Sequence, residues 1–191
     1  MPPTPPQMEQ TPQTPTPQMP PAPPTSAGER LLYTSIDSPI GELLLVGDGD
    51  ALRALHMQGA RRPLRVEPDW RASARAFAGV RAQLREYFAG ERTTFDTPLQ
   101  LRGNEFERRV WHALLDIPYG ETVSYGEIAR RVGNPAAARA VGLANGRNPI
   151  AVIVPCHRVI GANGSLTGYG GGLERKRLLL ELERGQAALR V

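Results

Sequence analysis

The sequence predicts an α+β fold, and two patterns in its apolar residues indicate it. Residues 31–57 contain short apolar runs separated by turn residues, which is typical of a small antiparallel sheet. From residue 104 onward, apolar residues recur at helical spacing, and two short helices meet at a glycine in a helix-turn-helix pattern. We therefore predict an N-terminal α/β domain over 29–101 and a mainly helical, winged-helix-like C-terminal domain over 102–191.

A proline-rich tail, residues 1–28, precedes these domains. It holds 11 of the 19 prolines and one charged residue, Glu9. Proline lacks a backbone donor and resists helix formation, so we expect this tail to be extended and disordered. The segment Pro2–Pro6 has the composition of a ligand for proline-binding domains. We favour the alternative, a flexible tail without a specific partner.

In the first domain, three apolar runs predict the strands of an antiparallel meander: residues 31–36, 43–46 and 51–56. Four apolar residues at helical spacing then predict a helix that Gly90 can end: Phe77, Val80, Leu84 and Phe88. Thr93–Leu101 is either a further strand or a connector. This domain contains ten basic and ten acidic residues and no catalytic constellation, so we expect it to support the second domain.

The second domain begins with two sequence patterns for helix capping. Asn104 with Glu107, and Ser124 with Glu127, have the spacing of capping boxes. After Gly133, the pair Asn134-Pro135 predicts a fresh N-cap with proline at the first helical position, before a second helix over 136–145.

This second helix consists almost entirely of small residues, with Arg139 as its one long polar side chain. One interpretation is a helix packed in the core. The other is a helix that lies close to a nucleic-acid backbone in the minor groove while Arg139 probes inward. The domain carries thirteen basic and eight acidic residues, and therefore all the positive excess of a chain whose net charge is +4.

Cys156 lies at the chemical centre of the second domain. The apolar run Ile150–Val154 predicts a buried strand that leads to it. A buried cysteine beside a strand is usually inert, but His157 and Arg158 favour the nucleophilic thiolate. Neighbouring side chains on an extended chain point apart, so His157 would reach Cys156 through a water molecule. Six glycines within 161–172 then form a loop that can approach a ligand, and a helix from Leu173 carries Glu183.

The composition excludes several classes of protein. No apolar run approaches the roughly 18 residues of a membrane span, and the N-terminus lacks the pattern of a secretory signal. The single cysteine cannot form an internal disulfide, which indicates a reducing compartment. Cys156 and the three histidines match no closed zinc pattern. We expect a cytoplasmic monomer that needs neither a metal nor another cofactor and does not bind membranes.

Several motifs, taken together and in this order, resemble those of the O6-alkylguanine-DNA alkyltransferase family. They are residues 102–106, 123–125, 133–142, 148–149 and 155–159, and Tyr169 with its glycines. The resemblance is strong over 102–191, limited to general layout in the first domain, and absent from the tail. Gly170 stands where some relatives have serine, which keeps the backbone amide. Some relatives bind zinc in the first domain, but that domain has no cysteine here.

The resemblance implies a repair protein that acts once. Cys156 would attack the alkyl carbon on guanine O6 and keep the alkyl group as a thioether. His157 would take the thiol proton through a water molecule, and Glu183 would orient His157. Asn148 would brace the turn that carries the site, and Tyr125 would donate a proton toward guanine.

The resemblance also implies how alkylated double-stranded DNA would bind. The carbonyls of Cys156 and Val159 and the amide of Gly170 would read the flipped base, with Tyr169 as a wall of the pocket. Arg139 would fill the space that the base vacates, and small residues would let the helix enter the minor groove: Ala137, Ala138, Ala140 and Gly142. The sequence leaves open whether O4-alkylthymine is accepted. Two other functions stay open, a non-catalytic module that binds alkylated DNA and a cysteine hydrolase.

Overall fold

The first domain is built around a small sheet. The computed structural model describes residues 31–60 and 64–185, so the predicted tail over 1–28 lies outside the described residues. Strands β1 (Leu32–Ile36), β2 (Leu43–Gly47) and β3 (Leu52–Met57) form the predicted antiparallel meander. A two-residue strand β4 (Arg71–Ala72) pairs in parallel with β1, giving the order β3-β2-β1-β4. This short strand was not predicted, because two residues carry no recognisable periodicity.

Helix α1 (Ala78–Phe88) covers the core of this domain. It buries four residues, Val80, Leu84, Tyr87 and Phe88, and Gly90 follows it with φ +77°, a left-handed conformation that suits glycine. The helix predicted here is therefore confirmed. Residues 93–101 form a connector rather than a strand. It touches the sheet at one bridge, where the Leu52 amide donates to the Pro98 carbonyl at 2.8 Å.

The second domain starts with helix α2 (Glu105–Leu115), which has the predicted capping box. The Asn104 side chain accepts from the Glu107 amide at 2.9 Å, and the Glu107 carboxylate accepts from the Asn104 amide at 3.1 Å. A short strand β5 (Val123–Ser124) leads into helix α3 (Tyr125–Arg131). The second predicted box forms only in half. Ser124 caps the Glu127 amide at 3.1 Å, but the Glu127 carboxylate pairs with Arg130 and Arg131.

Helices α3 and α4 (Ala138–Gly146) pack together as the predicted helix pair, and α2 packs against α4. Gly133 ends α3 with φ +79°. Asn134 occupies the predicted N-cap position and Pro135 the first helical position, but a side-chain cap is a wrong expectation, because Asn134 makes no capping hydrogen bond. The first turn is a 3₁₀ turn, Pro135–Ala137, and the α-helix begins only at Ala138.

The predicted strand over Ile150–Val154 is also wrong. The segment is buried but forms a turn, in which the Val154 amide donates to the Ile150 carbonyl at 3.0 Å. Val152 has φ +71°, which a β-branched residue rarely adopts and which no strand accommodates. The beginning of the segment docks on β3, where the Leu55 amide donates to the Pro149 carbonyl at 2.9 Å. Apolar composition gave the burial correctly, but not the backbone path.

The chain then passes through Cys156 into strand β6 (Val159–Ile160), which pairs in parallel with β5. Helix α5 (Leu173–Glu183) follows the glycine loop, as predicted. It ends against both α1 and the Cys156 turn, because Glu183 contacts Tyr87 and His157. Within residues 31–60 and 64–185, no helix is long and apolar enough to cross a bilayer.

Candidate active site

Cys156 opens a single 3₁₀ turn, Cys156–Arg158, and its side chain is almost fully buried, with the residue 4% exposed. Asn148 braces the approach to this turn. Its Nδ2 donates to the Val154 carbonyl at 2.8 Å, and its Oδ1 accepts from the Ile150 amide at 3.0 Å. Asn145 of α4 holds the other side by donating to the Cys156 carbonyl at 3.3 Å. Asn148 thus lies where its predicted bracing role requires.

The thiol experiences opposing electrostatic effects. Burial raises the pKa of Cys156, while the Asn148 side chain and the nearby charge of Lys176 act in the opposite direction. The thiol is therefore protonated at neutral pH, and a nucleophilic reaction requires a base to remove its proton.

His157, the next residue on the turn, is the candidate for that base. The residue is completely buried, and its Nε2 lies 2.8 Å from Oε1 of Glu183. An ionised carboxylate only accepts hydrogen bonds, so Nε2 carries the proton and Nδ1 is the basic nitrogen. Nδ1 is buried and has no hydrogen-bond partner among the described residues. Burial lowers the pKa of His157 despite the opposing charge of Glu183, so the imidazole is neutral at neutral pH.

Glu183 is surrounded by donors. Besides His157, Arg158 donates from Nε to Oε2 at 2.8 Å and from Nη2 to Oε1 at 2.9 Å. The Gly120 amide donates to Oε2 at 3.1 Å, and the Tyr87 hydroxyl donates to Oε1 at 2.7 Å. Burial alone would raise the pKa of Glu183, but His157 and Arg158 outweigh it and hold that pKa far below its usual range. The carboxylate therefore stays ionised and can orient His157.

Lys176 is a site residue that the sequence analysis missed. It is fully buried on α5, and its Nζ donates to the carbonyls of Val159 at 2.6 Å and Thr167 at 2.8 Å. Burial lowers its pKa to about 8, against the influence of Cys156. A signal was present in the composition. Lys176 is the only lysine in a chain whose other basic residues, 22 of the 23, are arginine. An arginine-biased chain that retains one lysine indicates a position where the compact ammonium is needed.

Two predicted substrate residues already have partners in the structure. The Val159 carbonyl accepts from Lys176, which leaves one of its two lone pairs for a ligand. The hydroxyl of Tyr125 donates to the Thr167 carbonyl at 3.2 Å, so it must leave this partner to reach a base. Burial raises the pKa of Tyr125, so the hydroxyl keeps its proton at neutral pH.

A cavity of about 510 Å³ opens beside Cys156. Asn148, Tyr169 and Gly170 line it as residues of the second domain, and the size suits a small organic group or a base. The Tyr169 hydroxyl is buried and has no hydrogen-bond partner among the described residues.

The opposite wall of this cavity comes from the first domain, which the sequence did not predict. His56 and Met57 of β3 line it. Met57 lies so close to Gly171 that a Cβ on the glycine would be 2.5 Å from the methionine sulfur and 3.0 Å from the Tyr169 ring. The cavity is therefore shaped by both domains.

Helix α4 has one buried face and one exposed face, so packing in the core accounts for part of its small residues, and the approach of the exposed face to DNA stays a prediction. Val141 and Ala144 are buried against the core. The opposite face is exposed at Arg139, Ala140 and Leu143, with Leu143 60% exposed. The other small residues predicted to approach DNA, Ala137, Ala138 and Gly142, are half-buried.

Sequence comparison connects this geometry to known proteins. Residues 31–101 match the ribonuclease-like domain of 6-O-methylguanine DNA methyltransferase, and residues 105–185 match the DNA binding domain of the same proteins. The chain belongs to the 6-O-methylguanine DNA methyltransferase family. Membership in this methyltransferase family confirms the resemblance seen in the motifs of the second domain.

Individual methyltransferases are similar over most of their length. A methylated-DNA–protein-cysteine methyltransferase of Mycobacterium tuberculosis is 62% identical over 156 residues, 81% of this chain and 93% of the relative. One from Methanosarcina acetivorans is 52% identical over 153 residues, 80% of this chain and 98% of the relative. The solved structure of M. tuberculosis OGT in complex with DNA superposes with a TM-score of 0.77 at 60% identity, covering 82% of this chain and 94% of that one. The predicted α+β fold is confirmed.

Proposed function

We propose that this protein repairs DNA by transferring the alkyl group of O6-alkylguanine to the Cys156 thiol in a single turnover. The observation that carries the proposal is the buried series Glu183–His157 beside a cysteine that lines a cavity. The names of the similar proteins, methylated-DNA–protein-cysteine methyltransferases, support the same reaction.

The reaction starts with removal of the thiol proton. In this mechanism His157 Nδ1 accepts the proton through a water molecule, and the sulfur attacks the alkyl carbon as the bond from that carbon to guanine O6 breaks. The sulfur keeps the alkyl group as a thioether. The guanine takes a proton from Tyr125, which regains one from His157, so the base departs neutral and the protons balance. A thioether is not reversed by thiols, so each molecule reacts once.

The electrostatic environment suits this sequence of steps. His157 is held neutral by burial and can accept a proton at neutral pH. The Lys176 ammonium, whose charge lowers the pKa of the thiol, stabilises the sulfur as it becomes negative. Asn148 keeps the turn in place while the alkyl group is received.

Binding of the damaged base requires that the base leaves the duplex, which costs roughly a few kcal/mol. Arg139 is exposed on α4 and has the length to occupy the vacated space. The small residues Ala137, Ala138, Ala140 and Gly142 leave room for α4 in the minor groove. The cavity would then receive the base, with the Cys156 and Val159 carbonyls and the Gly170 amide on its edge and Tyr169 as a wall. The solved complex of M. tuberculosis OGT with DNA supports DNA as the partner.

Intact-protein mass spectrometry after incubation with duplex DNA containing O6-methylguanine tests the reaction. We expect the mass to rise by one methyl group in place of one hydrogen, located at Cys156, and no gain in Cys156→Ala. Tight binding of the damaged duplex without an adduct would instead favour a recognition module, and repeated turnover of an acyl ester would favour a hydrolase.

We propose that the protein acts as a monomer in the cytoplasm, because a reducing compartment keeps its single cysteine, the acceptor thiol, reduced.

The proposed role of Arg139 has its own test. Arg139→Ala should slow methyl transfer from a duplex much more than transfer from free O6-methylguanine, because free base needs no extrusion. Arg109→Ala, which changes an exposed arginine on α2, serves as a matched control. Equal losses on both substrates would exclude the role in base extrusion.

A further inference from the structure

Tyr87 belongs to the first domain, but its hydroxyl lies in the reaction centre of the second. The residue is on α1, is completely buried, and donates to Oε1 of Glu183 at 2.7 Å across 96 positions of sequence. Neither the proposed proton transfer nor the packing of the first domain requires a hydroxyl at this position, because a phenylalanine would fill nearly the same volume.

We propose that Tyr87 is a positioning residue for alkyl transfer, which acts through Glu183 to fix the orientation and the protonation state of His157. The proposal rests on the function proposed above. It assigns the first domain a part in the reaction itself.

One carboxylate oxygen of Glu183 is crowded by hydrogen-bond donors. Oε1 of Glu183 accepts from three donors, Tyr87 at 2.7 Å, His157 at 2.8 Å and Arg158 at 2.9 Å. All three donors interact with the negative charge of the same oxygen. The hydroxyl of Tyr87 therefore reduces the charge that faces the imidazole, and so reduces the stabilisation of a protonated His157.

The hydroxyl is a permanent donor at a fixed place. Burial and the charge of Glu183 raise the pKa of Tyr87 well above its usual value, so the phenol does not ionise. Its ring is held by Phe88 and Phe95, with centroids at 5.4 Å from each, and by Tyr119 at 6.1 Å. A shift of α1 relative to α5 would therefore change the hydrogen bonding of Glu183 directly.

Other groups also act on His157 and Glu183, and they come from several elements. Arg158 lies on the same turn as His157, and Cys156 begins that turn. Lys176 lies on α5, Tyr119 on the connection after α2, and Tyr169 on the glycine loop. Of the tyrosines, Tyr87 donates to the carboxylate, whereas the Tyr119 hydroxyl contacts the Leu182 carbonyl at 3.5 Å. Tyr119 is therefore a natural control.

The test compares Tyr87→Phe with Tyr119→Phe and the unmodified protein. Single-turnover methyl transfer to Cys156 is measured from pH 4.5 to 8.5, and thermal unfolding confirms that each variant folds. With one donor lost, Glu183 stabilises protonated His157 more strongly, so we expect the acidic limb of the Tyr87→Phe profile to move up by about half to one pH unit. At a pH below the midpoint, transfer then becomes about three- to tenfold slower. The plateau rate changes by less than about twofold, and Tyr119→Phe follows the unmodified profile.

Two further measurements separate the possible outcomes. Titration of the His157 imidazole by NMR should show the same upward shift in Tyr87→Phe, and it does so whether or not the protein transfers methyl groups. If Tyr87→Phe does not fold, 3-fluorotyrosine at position 87, a stronger donor, should move the limb and the imidazole titration to lower pH. An unmoved limb, with or without a slower plateau, would overturn the proposal while leaving the alkyl transfer intact. Absence of transfer in the unmodified protein would overturn the proposed function and with it the link between Tyr87 and alkyl transfer, and the NMR titration would then decide by itself whether Tyr87 sets the protonation state of His157.

Discussion

The two domains differ in what they bury. Apart from tyrosine, the described part of the first domain buries one polar or charged residue, Arg53, and otherwise has an apolar core. Over residues 102–185, the second domain buries six: Asn145, Asn148, His157, Arg158, Lys176 and Glu183. Burying such groups costs free energy unless each is paired. Their concentration in the second domain therefore indicates that they are buried for the reaction and not for the stability of the fold. The first domain contributes one wall of the cavity, through His56 and Met57, and one hydroxyl, that of Tyr87.

The largest expected effect on the free energy of unfolding comes from removing a buried partner of the Glu183 carboxylate. Arg158→Met leaves Glu183 buried with fewer donors, and breaking a buried pair costs about 3–5 kcal/mol. Arg53→Met in the first domain removes the partner of Asp48, which is partly exposed, so we expect a loss of about 1 kcal/mol. Urea unfolding measures both. Equal losses would mean that the two domains tolerate buried charge alike.

An intermediate effect is expected in the pH dependence of stability. The folded protein holds the pKa of His157 below its ordinary value of 6.5, so below that pH the unfolded chain binds a proton that the folded chain does not. The free energy of unfolding should therefore decrease as the pH falls from 7 to 5. Burial lowers the pKa of His56 in the first domain with the same sign, although that residue is only partly buried.

Histidine variants show how much each domain contributes to the pH dependence of the free energy of unfolding. His157→Gln should reduce that pH dependence more than His56→Gln does, and His112→Gln, at an exposed position, serves as the control. Urea unfolding at a series of pH values gives the slopes. A larger change in His56→Gln than in His157→Gln would contradict the contrast between the domains.

The smallest expected effect concerns how the helices begin. Helix α2 has a reciprocal capping box, whereas the N-cap residue of α1, Phe77, makes no side-chain cap, so α1 relies on packing. Asn104→Ala should therefore cost about 1 kcal/mol in urea unfolding. Asn134→Ala is the matched control, because Asn134 precedes a helical turn without capping it, and it should change stability by less than about 0.5 kcal/mol. A similar loss in both variants would show that the box adds nothing.

Local patterns allowed much of this molecule to be predicted. Apolar runs separated by turn residues located the three long strands, and helical spacing located α1 and α2. The resemblance carried by the motifs around Cys156 predicted His157, Asn148 and Glu183 as site residues. In the structure His157 contacts Glu183, and Asn148 bonds to the chain just before Cys156. These features depend on residues close in sequence or on several motifs occurring in a fixed order.

The remaining features depend on tertiary contacts that no local pattern encodes. The run 150–154 is as apolar as a strand, but the hydrogen bonds of Asn148 and the left-handed Val152 turn it back. Tyr87 looks like an ordinary core residue of α1, and only the packed fold brings it to Glu183. The first-domain wall at Met57 is likewise visible only when the domains are packed together.

The close approach of Met57 and Gly171 has an evolutionary consequence. A side chain at position 171 and a methionine at position 57 would compete for the same volume, since the Cβ would lie 2.5 Å from the sulfur. We therefore expect substitutions at these two positions to be epistatic: a larger residue 171 needs a shorter residue 57 or a methionine that turns away, as its flexible side chain allows. Because both residues line the cavity, such paired changes would reshape it from both domains at once.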